Sequence, residues 1–142
     1  MRTIFGISAL AVLLIGGWWL LSGPTPAQTQ SDSVPGDPIV AITLPASFTE
    51  REKLGMMAFN AKCADCHGTN AVGKEGIAPP LVHKIYEPNH HADLAFERAV
   101  QNGVRAHHWP FGNMPPVEGL TRGDVGGIVA YVRVLQRENG IN

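Results

Sequence analysis

Cys63-Ala64-Asp65-Cys66-His67 is the stretch that decides what this chain folds around. It is a Cys-x-x-Cys-His pentapeptide, the attachment signature of c-type haem. The spacing has a chemical reason. Two thiols one helical turn apart can add across the two vinyl groups of one porphyrin, and the adjacent His can bind iron through an imidazole nitrogen. The chain has 2 cysteines in all, both in this motif, which leaves none for a structural disulfide. Cys63 and Cys66 are therefore the candidate thioether residues and His67 a candidate axial ligand, for one covalent haem c per chain.

Other uses of Cys-x-x-Cys fit poorly. A thioredoxin-like dithiol belongs beside a βαβ pattern, and no alternating strand–helix run is visible. A structural zinc site needs four ligands, and a second Cys pair is absent.

Upstream of the motif, Ser47-x-x-Glu50 reads as a capping box that starts a helix. Leu54, Met57, Ala58 and Ala61 follow with helical spacing, and the helix delivers Cys63. Downstream, Asp93 to Asn102 reads as a helix with Leu94, Phe96, Ala99 and Val100 on one side and Gly103 as its stop. Thr121-x-x-Asp124 opens a third helix. Its apolar stripe is Val125, Ile128, Val129, Val132 and Leu135; Arg133 and Arg137 suit its C-terminal end, and Gly140 ends it.

Haem iron has two axial positions, and a thioether suits the one opposite a His. Of 4 methionines, Met1 is at the start, and Met56 and Met57 stand too close upstream of the Cys pair to reach the opposite face. Met114 remains, in the proline-clamped loop Phe111-Gly112-Asn113-Met114-Pro115-Pro116. An ordinary packing Met is the alternative.

Ser22–Ala46 holds five prolines among Ser, Thr, Gln and Gly and reads as a linker, although its patch Ile39–Leu44 is apolar enough to lie against the haem domain. Before it, Ile4–Leu21 is an unbroken uncharged run, IFGISALAVLLIGGWWLL, preceded by Arg2. About 18–20 apolar residues are needed to span a bilayer, and Trp18 and Trp19 stand where an aromatic belt would sit. The run is expected to be an uncleaved membrane anchor. The alternative is a signal peptide cleaved after Thr25-Pro26-Ala27, a site crowded by prolines. Either way Arg2 stays inside and the rest is exported.

The formal net charge is −1, and Arg2 is the only charged residue before Asp32. There is no basic run, so nucleic acid is not an expected partner. The organisation expected is an anchor or signal peptide over 1–21, a linker over 22–46 and a haem domain over 47–142. The fold class expected is all-α, with about three main helices and Gly/Pro-rich loops.

The motifs together resemble the class I cytochrome c family, specifically its small bacterial members. Gly55-x-x-x-Phe59-x-x-x-Cys63-x-x-Cys66-His67-Gly68 looks like that family's N-terminal helix running into the haem motif. Ala78-Pro79-Pro80-Leu81 resembles its Gly-Pro-x-Leu loop, with Ala78 departing from the usual glycine. Asn113-Met114-Pro115 resembles its methionine loop, and Ala130-Tyr131-Val132 its C-terminal helix. The resemblance covers roughly residues 47–140. It implies that Gly55 and Phe59 pack near Tyr131, and that the Pro79 carbonyl accepts the proton of the second His67 nitrogen.

The remaining histidines are His83, His90, His91, His107 and His108. His107 or His108 could compete with Met114 for iron; solvated or backbone-bonded rings, or bonds to a haem propionate, are the plainer reading. A second metal shared by His90, His91 and a distant His is a further alternative. Trp109-Pro110-Phe111 is expected to shield the haem edge.

The expected function is one-electron transfer by a His/Met-ligated monohaem protein, with no enzymatic activity and no small-molecule substrate. The resemblance implies redox partners such as a quinol-oxidising complex and a terminal oxidase. The expected location is the bacterial inner membrane, by a single N-terminal pass facing the periplasm, or the soluble periplasm if the N-terminal run is cleaved. Two other functions remain open. One is a haem subunit of an exported dehydrogenase, favoured by an exposed apolar patch at the haem edge. The other is a sensor or peroxidase-like enzyme, which Met114 argues against.

Overall fold

The computed structural model describes residues 34–142, and its first helix, α1 (Glu50–Lys62), begins two residues later than Ser47-x-x-Glu50 suggests. The capping box is Thr49-x-x-Glu52. Thr49 N–H donates to Glu52 Oε2 at 2.7 Å and Glu52 N–H donates to Thr49 Oγ1 at 3.3 Å. Phe48, just ahead of the cap, sets its ring 5.7 Å from that of Tyr131, so the chain enters the helix only after that contact is made.

Helix α1 leads into the short α2 (Ala64–His67), then α3 (Asp93–Asn102) and the long α4 (Arg122–Glu138), with single 3₁₀ turns at Thr69–Ala71 and Lys84–Tyr86. Among the described residues there is no strand, only two isolated bridges. The all-α expectation holds. Helix α4 opens with the expected second box: Thr121 N–H donates to Asp124 Oδ2 at 2.8 Å and Asp124 N–H donates to Thr121 Oγ1 at 3.2 Å. The expected bounds of α3 are also the observed ones, with Gly103 at its end.

The buried face of α1 differs from the one its apolar spacing suggests. Leu54, Met57 and Ala61 are exposed; the buried residues are Gly55 and Phe59. Gly55 meets the α4 backbone: a Cβ there would lie 1.9 Å from the Gly127 carbonyl oxygen. One turn on, the Phe59 and Tyr131 rings stand 5.7 Å apart, and Ile128, Val132 and Leu135 complete this core with Val82 and Ala71. Tyr131 Oη donates to Asn70 Oδ1 at 2.9 Å, which satisfies the one polar atom of a fully buried ring.

Arg133 suits the exposed C-terminal end of α4 by sequence, but it is 7 % exposed. Its Nη1 donates to Tyr86 O at 2.7 Å, its Nη2 to His91 O, and its Nε to Asp93 Oδ1 at 2.9 Å. Gln136, fully buried beside it, donates to Leu81 O at 2.7 Å and Tyr86 O at 3.0 Å. The pair holds the 81–93 loop onto α4. An orphaned buried acceptor costs about 1–3 kcal/mol, so Arg133→Leu should lower the unfolding free energy by about 2–3 kcal/mol in a denaturant titration of the haem-loaded protein.

Residues 34–46 are tied onto the helical unit. Ile39 N–H and Val40 N–H both donate to Val72 O at 3.2 Å, and Ile42 packs on the core. Thr43 exchanges two bonds with the Asn139 side chain, at 2.7 and 2.8 Å. The apolar patch thus lies against the domain, with Ile39, Val40 and Ile42 half-buried and Leu44 exposed. Among the described residues no helix is long and apolar enough to cross a membrane; the Ile4–Leu21 run lies outside them.

Candidate haem site

Cys63 closes α1, and its carbonyl then accepts N–H bonds from Cys66 at 3.2 Å and His67 at 2.9 Å. This tight turn brings both thiols and the imidazole to the wall of one cavity of about 640 Å³, which Phe59, Leu81, Phe96 and Ile128 also line. Burial, and next the neighbouring Cys66, push the Cys63 thiol up to about 11. A redox dithiol or a zinc thiolate is activated by the opposite shift, so the site suits a neutral thiol.

His67 is positioned through its other nitrogen. Nδ1–H donates to the Pro79 carbonyl at 2.9 Å, which leaves the Nε2 lone pair free. Burial holds the imidazole below its ordinary value, and the bond to Pro79 opposes this. The neutral, ligating form is therefore favoured. Ala78 fits because its backbone is not left-handed: Lys74 and Ala78 exchange bonds of 3.0 and 3.1 Å around a turn whose positive φ falls on Gly76.

Met114 lines the same cavity; Met56 and Met57 do not. Its backbone is pinned in both directions to Val104, N–H to O at 2.9 Å each way. Asn113 Oδ1 accepts from Ala106 N–H at 2.9 Å, and prolines follow. Gly103 makes the approach possible: its φ is +72°, and a Cβ would lie 2.4 Å from Met114 O.

Trp109 and Phe111 stack at 5.7 Å and line the cavity, and His83 sets its ring edge-on to Trp109 at 5.1 Å. The Trp109 indole N–H is buried and finds no hydrogen-bond partner in the protein. The nearby Tyr86 hydroxyl, raised by burial, feels that N–H as a partly opposing influence, but the pair does not reach hydrogen-bond geometry. A buried orphan donor calls for an acceptor from outside the chain. His90, His91, His107 and His108 also border the cavity, a gathering of two separated pairs that their spacing does not announce. His108 is held below its ordinary value, by desolvation first and then by the other three rings.

The fit to haem is good. An apolar cavity carries two thiols, an oriented imidazole and a thioether on its walls, and an unpaired N–H that a propionate could satisfy. The fold and this wall together define an all-α domain built around covalently attached haem. The sequence model of the Cytochrome c family matches residues 53–136, and the chain belongs to that family. No curated protein matches the chain. It is a haem-binding electron-transfer protein, and its cofactor is covalently bound haem c.

Proposed function

We propose that this chain carries one electron at a time on a single haem, ligated by His67 and Met114 and joined through Cys63 and Cys66. The observation that carries the reading is the convergence of these four side chains on one apolar cavity. When bound, the haem supplies iron that exchanges one electron. The chain's own residues do the rest. Cys63 and Cys66 anchor, the Pro79 carbonyl fixes the His67 tautomer, and the pinned 104–114 loop presents the Met114 thioether. With His67 and Met114 both holding the iron, no ligand position would remain for a substrate, so the chemistry the haem would supply is electron exchange. Export, an Ile4–Leu21 anchor in the bacterial inner membrane facing the periplasm, and redox protein partners complete the proposal. Its support is the length of the apolar run and Arg2 before it.

Ile77 and Leu94 are exposed at the cavity rim, at 45 % and 48 %. Such an apolar rim also suits the second reading, a haem subunit of an exported dehydrogenase. A stable complex with a dehydrogenase in native membranes would favour that reading.

Intact mass measured under denaturing conditions tests the first reading. The protein should carry one haem, and Cys63→Ala with Cys66→Ala together should carry none. A wild-type chain without haem mass would sink the proposal. The same spectrum reads the N-terminus. A chain retaining residues 1–27 supports the anchor, and one beginning near Gln28 replaces it with a soluble periplasmic form.

A further inference from the structure

The histidines that the haem site does not use form a site of their own. His90 and His91 come from the loop after Tyr86; His107 and His108 come from the loop before Met114. Rings meet across the gap, His90 and His108 at 5.2 Å, His91 and His108 at 5.4 Å and His91 and His107 at 6.3 Å, while the neighbours His107 and His108 stand 4.2 Å apart. One ring nitrogen each from His90, His91 and His108 lies within 4.8 Å of the other two. We propose that His90, His91 and His108 bind a divalent transition-metal ion of the zinc or copper type, with His107 as an available fourth donor.

Several features support this. The gathered groups are all imidazoles, the side chain that suits zinc and copper. Four basic rings at this range repel when protonated, whereas neutral rings offer lone pairs to one cation. The tautomers are partly set already. His91 Nδ1–H donates to Ile85 O at 2.7 Å and His107 Nδ1–H to Arg105 O at 2.8 Å, and each bond leaves Nε2 as the free donor. Bonds of this kind orient metal-binding histidines.

Both stems are braced. Arg133 grips Tyr86 O, His91 O and Asp93, so the His90–His91 segment is held on both sides from a buried anchor. Ala106 N–H is bonded to the Asn113 side chain, which holds the His107–His108 loop beside Met114. Metal–nitrogen bonds of about 2.0–2.1 Å put tetrahedral ligand nitrogens roughly 3.4 Å apart. His90 and His108 are exposed and can close that difference by side-chain rotation. Three histidines leave a fourth position for His107 or water.

The ion would join the two loops that flank the cavity, one of which carries Met114. It requires no particular iron ligand, so it stands apart from the His67/Met114 assignment.

The test uses the full haem-loaded chain without an affinity tag, stripped with a chelator and titrated with Zn²⁺ by calorimetry and with Cu²⁺ by electron paramagnetic resonance. One ion should bind per chain beyond the haem iron, with a copper signal showing several nitrogen ligands. His90→Gln and His108→Gln should each weaken binding at least about tenfold, with the haem spectrum unchanged. His83→Gln should bind as the wild type does, since His83 Nδ1 accepts from Ile85 N–H at 3.2 Å and its ring faces Trp109. No ion beyond the haem iron would overturn the proposal and leave the cluster to a propionate or to solvent. Equal affinity in all three variants would overturn it too.

Discussion

Reduced Met114→Ala protein should bind carbon monoxide readily, where the wild type binds it poorly, and its potential should fall by on the order of 0.1 V or more. The substitution is clean because the loop's hydrogen bonds are made by backbone and by Asn113, not by the thioether. Met114 is held by its backbone, through the paired 2.9 Å bonds to Val104. Gly103 lets that backbone approach, and Asn113 ties the loop to Ala106. Alanine keeps all of these and removes the side chain beyond Cβ, the sulfur included. A soft thioether opposite an imidazole favours the reduced iron, so its loss lowers the potential as well as opening the position. If carbon monoxide bound equally to both proteins, Met114 would lose the assignment. His107 and His108, seven and six residues earlier on the same loop, would be next to test.

The features legible in the sequence are those fixed by local chemistry. Thioether attachment dictates the Cys63–Cys66–His67 spacing wherever the domain lies. Thr121 with Asp124 and the stop at Gly103 act within a turn of helix, so α3 and the start of α4 stand where local rules put them. Features that depend on pairs of distant residues are less legible. Two overlapping boxes, Ser47 with Glu50 and Thr49 with Glu52, satisfy the same rule; the Phe48–Tyr131 contact accompanies the second. The buried face of α1 includes a glycine, which hydrophobic periodicity does not count. Arg133 carries the marks of a surface residue, and only the carbonyls of a loop some 40 positions away explain its burial. The two histidine pairs show the same limit. Each pair is visible, but their convergence depends on how two loops fold around a cavity.

The largest effect on stability should come from Gly55→Ala. A methyl group at Gly55 would stand 1.9 Å from Gly127 O, 2.3 Å from Gly127 C and 2.9 Å from Ile128 N, all of them α4 backbone. No side-chain rotation relieves backbone contacts, so α1 must lift from α4. Overpacking a close contact typically costs about 1–3 kcal/mol, and this one should cost at least about 3 kcal/mol. The damage reaches the site, because α1 ends at the Cys63 turn and its Phe59 both packs on Tyr131 and lines the cavity. Gly127→Ala is the internal comparison. Its Cβ would meet Gly55 Cα at 3.3 Å, a contact that a few tenths of an ångström relieve, so a loss of about 1 kcal/mol is expected. Denaturant unfolding of the haem-loaded proteins, followed by haem absorbance, ranks the two. If Gly55→Ala unfolds at the wild-type midpoint, the helices do not meet backbone to backbone, and the placement of the Cys63 turn against the cavity would have to be redrawn.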